Sequence, residues 1–235
     1  MAYSVILFDF GETLARTSFD VWASAYLPLL RRHGFQASVE QVAEAWRRAW
    51  EGVDTFQGVE HVAYSGSAEA YDTWRARIEA RALTHLGMVN PSSDLVAGIL
   101  ELQDSREYAL FEDVLPALAA LRERGYRLGV VSNFTWRLPE IIEELAVGQY
   151  IERVIVSARA GYRKPHPEIF RQALAAFDVT PEETLFVGDS RLADIDGARR
   201  AGMSGVLLNR SASGANTEDG ISALTSLPET LDLMS

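Results

Sequence analysis

The 235-residue chain contains no cysteine, which excludes disulfides and thiolate metal ligands and makes the reducing cytoplasm the expected setting. Lysine is almost as scarce: of 22 basic residues only Lys164 is lysine, and every other one is arginine. Chemistry that needs a side-chain amine therefore has a single candidate. Positive charge as a whole is in deficit, with 22 basic against 33 acidic residues and a formal net charge of −11. That balance argues against broad binding of nucleic acid or of an anionic membrane. No apolar run reaches the roughly 18–20 residues that span a bilayer, so no membrane partner is expected. The first apolar run, Val5-Ile6-Leu7-Phe8, stops at Asp9 without the basic segment of a secretory signal. The histidines, His33, His61, His85 and His166, show no metal-ligand spacing.

What is present is an alternation of strand-like and helix-like segments. Ser4 to Phe8 is a continuous apolar run that reads as a strand buried on both faces. Comparable runs recur at Leu128 to Val131, Arg153 to Val156, Thr184 to Val187 and Gly205 to Leu208, with helical patterns such as Val114 to Arg124 and Glu168 to Phe177 between them. Thr180-Pro181-Glu182-Glu183 carries a helix-start signature. From about residue 111 this predicts a three-layer α/β domain around a parallel sheet. Residues 15 to 110 break the rhythm with four helical stretches, about 19–33, 38–52, 68–87 and 91–104. They read as an inserted all-helical subdomain over the carboxyl edge of the sheet. Trp46 and Trp50, spaced i, i+4 on one helical face, are expected to pack in its core. The segment Asp54 to Gly66, with Thr55, Gln57, His61 and Tyr64, reads as a helix connection or a substrate-facing loop, and Ser211 to Gly220 as a surface loop.

In an open α/β sheet, ligands bind beyond the carboxyl ends of the strands. Four such ends carry polar groups: Asp9 in Asp9-Phe10-Gly11-Glu12-Thr13, Ser132-Asn133 after Val131, the lone lysine in Gly161-Tyr162-Arg163-Lys164-Pro165-His166-Pro167, and Gly188-Asp189-Ser190 with Asp194 five residues beyond Asp189. Two carboxylates, a hydroxyl and an ammonium in one cleft suit phosphoryl transfer to a carboxylate nucleophile. Asp9 would attack phosphorus. A hard divalent cation held by Asp9 and Asp189 would neutralise the charge between nucleophile and phosphate. Ser132 would donate to phosphate oxygens, and Lys164 would offset the remaining charge. Few ligands, all of them oxygen, point to Mg²⁺.

In order and spacing the four segments resemble the motifs of the haloacid dehalogenase (HAD) superfamily, and the helical insert resembles its subgroup with a helical cap between motifs one and two. The resemblance covers nearly the whole chain, with motifs at 5–14, 128–133, 161–167 and 185–202. It implies an α/β fold with a three-layer Rossmann-like core formed by residues 1–14 and 111–235, and a helical cap at 15–110. It also implies Asp9 as covalent nucleophile, Thr13 as the buttress of its loop, and Thr13, Ser132, Asn133 and Lys164 on the substrate side. Asp189 and the backbone carbonyl of Gly11 would join Asp9 at the metal, with Asp194 either a further metal partner or the residue that orients Lys164. The implied activity is Mg²⁺-dependent hydrolysis of a small phosphorylated metabolite through an aspartyl-phosphate, in an oligomeric state that the sequence does not specify.

One position departs from the pattern. Family phosphatases usually carry a second aspartate two residues after the nucleophile, where this chain has Gly11. General acid–base help of that kind contributes roughly 10²–10⁴-fold, so its absence predicts a slower enzyme or one that needs a good leaving group. Glu12 is adjacent but projects differently. Two other readings stand beside phosphatase: a 2-haloacid dehalogenase, against which Gly188-Asp189 argues, and a HAD-like binding or interaction protein of weak activity. Phosphonate cleavage through a cap Schiff base is excluded, because residues 1–163 contain no lysine.

Overall fold

Val5–Phe8 forms β1, and all four residues are buried. Successive side chains of a strand point to opposite faces, so Ile6 and Phe8 enter one apolar cluster while Val5 and Leu7 enter another. The computed structural model describes residues 3–17, 19–51, 53, 67–210, 217–218, 221–224 and 226–229. Within it, β2 (Arg127–Ser132) and β4 (Thr184–Gly188) flank β1, both parallel to it, with Phe8 beside Val130 and Val187. Next to β2 lies β3 (Arg153–Val156), and next to β4 lies β5 (Ser204–Leu208). The chain thus builds outward from β1 through β2 to β3, then crosses back to place β4 on the other side of β1. That reversal opens a crevice at the carboxyl ends of β1 and β4.

The five expected strands match the sequence reading to within a residue or two at either end. The sheet is not wholly parallel, however. Within the expected surface loop and just past it, Thr217–Glu218 (β6) and Ile221–Leu224 (β7) pair as an antiparallel hairpin, and β7 adds to β5 in parallel. Thr180 starts a single 3₁₀ turn, Pro181–Glu183, with a full capping box to Glu183. The helix goes no further because Thr184 already belongs to β4. Among the described residues no helix is long and apolar enough to cross a membrane.

Between β1 and β2 lie α1 (Phe19–Arg32), α2 (Val39–Trp50), α3 (Ala68–His85) and α4 (Ser93–Asp104), followed by α5 (Val114–Glu123). Serines set three of the starts: Ser38 caps α2 in a box with Gln41, Ser67 accepts from Ala70 N, and Ser92 accepts from Leu95 N. The chain enters and leaves this helical segment side by side, with Arg16 N donating to Ala109 O at 2.9 Å and Phe111 N donating to Leu14 O at 3.1 Å. The possible loop at 54–66 lies outside the described residues.

Trp46 packs in the interior as expected, but its indole N–H needs an acceptor there. Glu79, on α3, supplies it: Trp46 Nε1 donates to Oε2 at 2.6 Å and Gln103 Nε2 donates to Oε1 at 2.9 Å. Burial pushes the Glu79 carboxyl up to about 7, against these donors and nearby Arg75. The folded protein then holds a proton that the unfolded chain releases near 4.5. Stability contributed by that proton is complete below pH 4.5 and is lost as pH rises to about 7. Glu79→Gln, measured by urea unfolding at pH 5 and pH 8, is expected to gain on the parent by about 2–3 kcal/mol over that interval. An equal pH slope in the two proteins counts against the buried proton.

Candidate active site

Asp9 directly follows β1, and its N–H donates to Val187 O at 2.9 Å, which extends the β1–β4 ladder by one rung. Ser132, buried, closes β2, and Asp189 follows β4. Lys164 arrives from a loop between two further helices, α7 (Ser157–Ala160) and α8 (Pro167–Phe177), where α6 (Leu138–Glu144) precedes β3. Asn133 holds that loop from both sides of one residue: Nδ2 donates to Lys164 O at 2.9 Å, and Lys164 N donates to Oδ1 at 2.7 Å. The side chain expected on the substrate side thus also holds the backbone of the lysine, and Asn133 borders the cavity above the site.

Lys164 is 1% exposed. Its Nζ donates to Asp9 Oδ1 at 2.6 Å and to Asp194 Oδ1 at 2.5 Å. Asp194 sits on a π-helical turn, Arg191–Asp196, and its Oδ2 accepts from Ser190 N at 2.9 Å. Gly188 makes room for this return of the chain, since a Cβ there would stand 2.7 Å from Asp194 Cβ. The sequence placed Asp194 either at a metal or at Lys164. The geometry engages one oxygen with the ammonium and the other with a backbone N–H.

Asp9, Asp189 and Asp194 offer carboxylate oxygens that all lie within 4.8 Å of one another. Three carboxylates therefore face one ammonium. Burial disfavours the charged lysine, but Asp194 and Asp9 outweigh it and hold Lys164 above its ordinary value. Asp189 keeps access to solvent, yet enclosure by the surrounding protein, followed by repulsion from Asp9 and Asp194, pushes its carboxyl up to about 8. Burial raises Asp194 as well. A surplus of negative charge on hard oxygen donors, part of it open to solvent, is the chemistry that a divalent cation of the Mg²⁺ or Ca²⁺ type satisfies.

Above this cluster is a cavity of about 500 Å³. Asp9, Ser132, Lys164 and Asp189 line it from the sheet, while Trp22 of α1 and Arg47 and Trp50 of α2 line it from the helical segment. Trp50, one turn beyond buried Trp46, packs against the core as expected and also borders the cavity. Gly11 and Glu12 also line it. Glu12 takes a left-handed backbone with φ 52°, and its carboxylate accepts from Thr17 N and, at 3.2 Å, from Thr17 Oγ1. Thr13 is a correction, because it is fully buried and does not line the cavity. It is its backbone oxygen that is used, accepting from Arg210 Nη2 at 2.6 Å, while Arg210 pairs with Asp113 at 3.1 Å and stacks 3.8 Å over Phe111. Neither Arg210 nor Arg163, which also lines the cavity, had a sequence signal, since an arginine-rich chain gives no single arginine prominence.

The haloacid dehalogenase-like hydrolase family model matches residues 3–202. The chain belongs to that family. A glyceraldehyde 3-phosphate phosphatase of Methanopyrus kandleri is 31% identical over 209 residues, covering 87% of this chain and 83% of the relative. A phosphoserine phosphatase of Thermus thermophilus is 31% identical over 193 residues, covering 75% and 76%. Among solved structures, the magnesium-bound HAD-hydrolase YfnB of Bacillus subtilis shares the fold with a TM-score of 0.75 at 17% identity, over 100% of this chain and 99% of that one. The L-2-haloacid dehalogenase RSc1362 shares it equally, with a TM-score of 0.75 at 18% identity over the same shares.

Gly188→Ala is expected to lower the stability of the protein by about 1–3 kcal/mol, the usual range for overpacking, because the turn bearing Asp194 must move. Urea unfolding reads the loss. A variant as stable as its parent counts against the close approach.

Proposed function

We propose that the protein is a Mg²⁺-dependent phosphatase that hydrolyses a small phosphate monoester through an aspartyl-phosphate on Asp9. The observation that carries this reading is the 2.6 Å pair between Asp9 and the buried Lys164 ammonium, set beside Asp189 at the foot of a cavity. The relatives named as phosphatases support it. One Asp9 oxygen receives the Lys164 proton donor and the other attacks phosphorus. The new bond to Asp9 forms as the bond from phosphorus to the substrate oxygen breaks, and that oxygen takes a proton from solvent, since Gly11 carries no acid. Water then attacks phosphorus, breaking the bond to Asp9, restoring the carboxylate and releasing orthophosphate. Ser132 and Lys164 hold the phosphate oxygens, and Asp194 holds Lys164 in line.

We assign the cation to Asp9, Asp189 and the Gly11 carbonyl. When bound, it would neutralise the charge between nucleophile and phosphate. Asp194, with both oxygens engaged by protein donors, acts through Lys164. Residues 15–110 serve as a cap whose α1 and α2 close the cavity around the leaving group and limit it to a small phosphorylated metabolite; neither nucleic acid nor a membrane is a partner in this reading. A cytoplasmic setting accords with the cysteine-free chain. Dehalogenation is the weaker reading, because displacement of halide by Asp9 gives no task to the further carboxylate that Asp189 brings to the cluster.

A panel of small phosphate esters is expected to release phosphate with Mg²⁺ and none with EDTA, and Asp9→Asn is expected to remain folded and inactive. Parental turnover by Asp9→Asn would overturn the mechanism. Metal-independent halide release would favour the dehalogenase, and neither product would favour a binding role.

Acid catalysis has its own test. A Cβ at Gly11 would stand 2.8 Å from Thr17 Oγ1, so Gly11→Asp is combined with Thr17→Ala. The pair is expected to raise turnover of alkyl phosphates by tenfold or more relative to p-nitrophenyl phosphate, within the roughly 10²–10⁴-fold reach of general acid catalysis. An unchanged ratio in a folded variant assigns the proton to another donor.

A further inference from the structure

Arg163 directly precedes the lysine, and nothing in the mechanism above uses it. It is 3% exposed. Its guanidinium carbon lies 5.3 Å from the ring centre of Trp50 and 5.4 Å from that of Trp74. The two rings meet edge to face at 5.7 Å. Trp50 ends α2 and Trp74 belongs to α3, so a side chain from the lysine loop is wedged against two helices of the inserted segment. From the sheet side, the same loop is gripped by Asn133 on both the N–H and the carbonyl of Lys164. The peptide that carries the ammonium is therefore fixed at two points, one in each half of the molecule.

We propose that Arg163 is a positioning residue: its stacking on Trp50 and Trp74 couples the seating of the helical segment to the placement of Lys164 between Asp9 and Asp194. The contact survives without ideal hydrogen-bond geometry, because cation–π attraction acts over the ring face and strengthens when water is excluded. It makes the helical segment part of the catalytic geometry as well as a cover. The tolerance at Lys164 is small, since its Nζ meets both carboxylates at 2.6 Å or less. The proposal rests on the reading of Lys164 as the cation at the phosphate.

Because Arg163 and Trp50 also line the cavity, the decisive variant is Trp74→Leu, which removes the stacking from outside it. Steady-state kinetics with p-nitrophenyl phosphate and saturating Mg²⁺ would compare the parent, Arg163→Met, Trp74→Leu, the double variant and Arg163→Lys. Arg163→Met and Trp74→Leu are each expected to lower kcat about tenfold, the scale of a desolvated cation–π contact, with KM within about twofold. The double variant is expected to fall no further than Arg163→Met, as for two residues acting through one contact. Arg163→Lys, which keeps a cation over the rings but not the planar group, should regain part of the loss. Parental kcat in folded Arg163→Met, additive losses, or a loss confined to KM would overturn the proposal, the last because it marks direct contact with substrate. A second readout needs no turnover: amide hydrogen exchange at Lys164 N is expected to quicken in Trp74→Leu, and unchanged exchange there overturns the proposal even if the parent releases no phosphate. Absence of phosphate release by the parent is a separate result and sinks the phosphatase reading alone. If Arg163→Met does not fold, Trp74→Leu and Arg163→Lys carry the same comparison.

Discussion

The ammonium of Lys164, buried between Asp9 and Asp194, is the constraint around which the site is built. A charge taken out of water costs several kcal/mol unless partners compensate it. Lys164 has two partners on one nitrogen, and the surrounding chain exists in large part to deliver them. Asp9 comes on the end of β1, held to β4 by its own N–H. Asp194 comes on a π-helical turn that Gly188 admits and Ser190 fastens. The lysine itself is set by the Asn133 amide. Removing any one of these supports leaves a charge in the interior with less than it needs.

The same cluster is overbalanced toward negative charge, and this is where structure becomes chemistry. With three carboxylates close together and one ammonium among them, negative charge exceeds positive, and enclosure followed by repulsion from Asp9 and Asp194 pushes Asp189 up. In the proposed reading a divalent cation would relieve that repulsion, and a phosphate would then meet a site whose charge is near balance. Asp189 is the member of the three most open to solvent, which leaves it the most available to an ion. Asp194 is the most enclosed and is already bound to donors on both oxygens. Burial thus separates the tasks of two carboxylates that the sequence alone treats as equivalent.

Much of this was legible because strand ends are local features. Asp9, Ser132 and Asp189 each follow an apolar run that could hardly be anything but a buried strand, and the parallel arrangement carries all three to one edge. Lys164 stood out by scarcity. What was not legible depends on backbone geometry or on contacts distant in sequence. Asn133 borders the cavity, as its place after β2 suggests, but its bonds to Lys164 are made across thirty-one residues. Thr13 turned inward behind its loop. Trp50 shares a helical face with Trp46 and packs against the same core, but periodicity does not reveal that it also borders the cavity. The β6–β7 hairpin is short and carries little apolar signal. Arg163 and Arg210 were hidden by the abundance of arginine.

That abundance also explains why one lysine persists. Everywhere else a cation in this chain is a guanidinium, and its uses here suit a broad planar group: Arg163 stacks on indoles, and Arg210 lies over Phe111 while bonding to the Thr13 carbonyl and Asp113. Between Asp9 and Asp194 the requirement is different. Two carboxylate oxygens must converge on a single nitrogen at 2.6 and 2.5 Å while a face of that nitrogen remains for a third acceptor. A tetrahedral ammonium has three donors that diverge from one point, whereas a guanidinium spreads five donors across a plane and pairs with a carboxylate edge to edge. The position that requires the compact ion is thus the one where the arginine bias stops. The arginine beside it in sequence meets the opposite requirement: a flat group that fits against two flat rings.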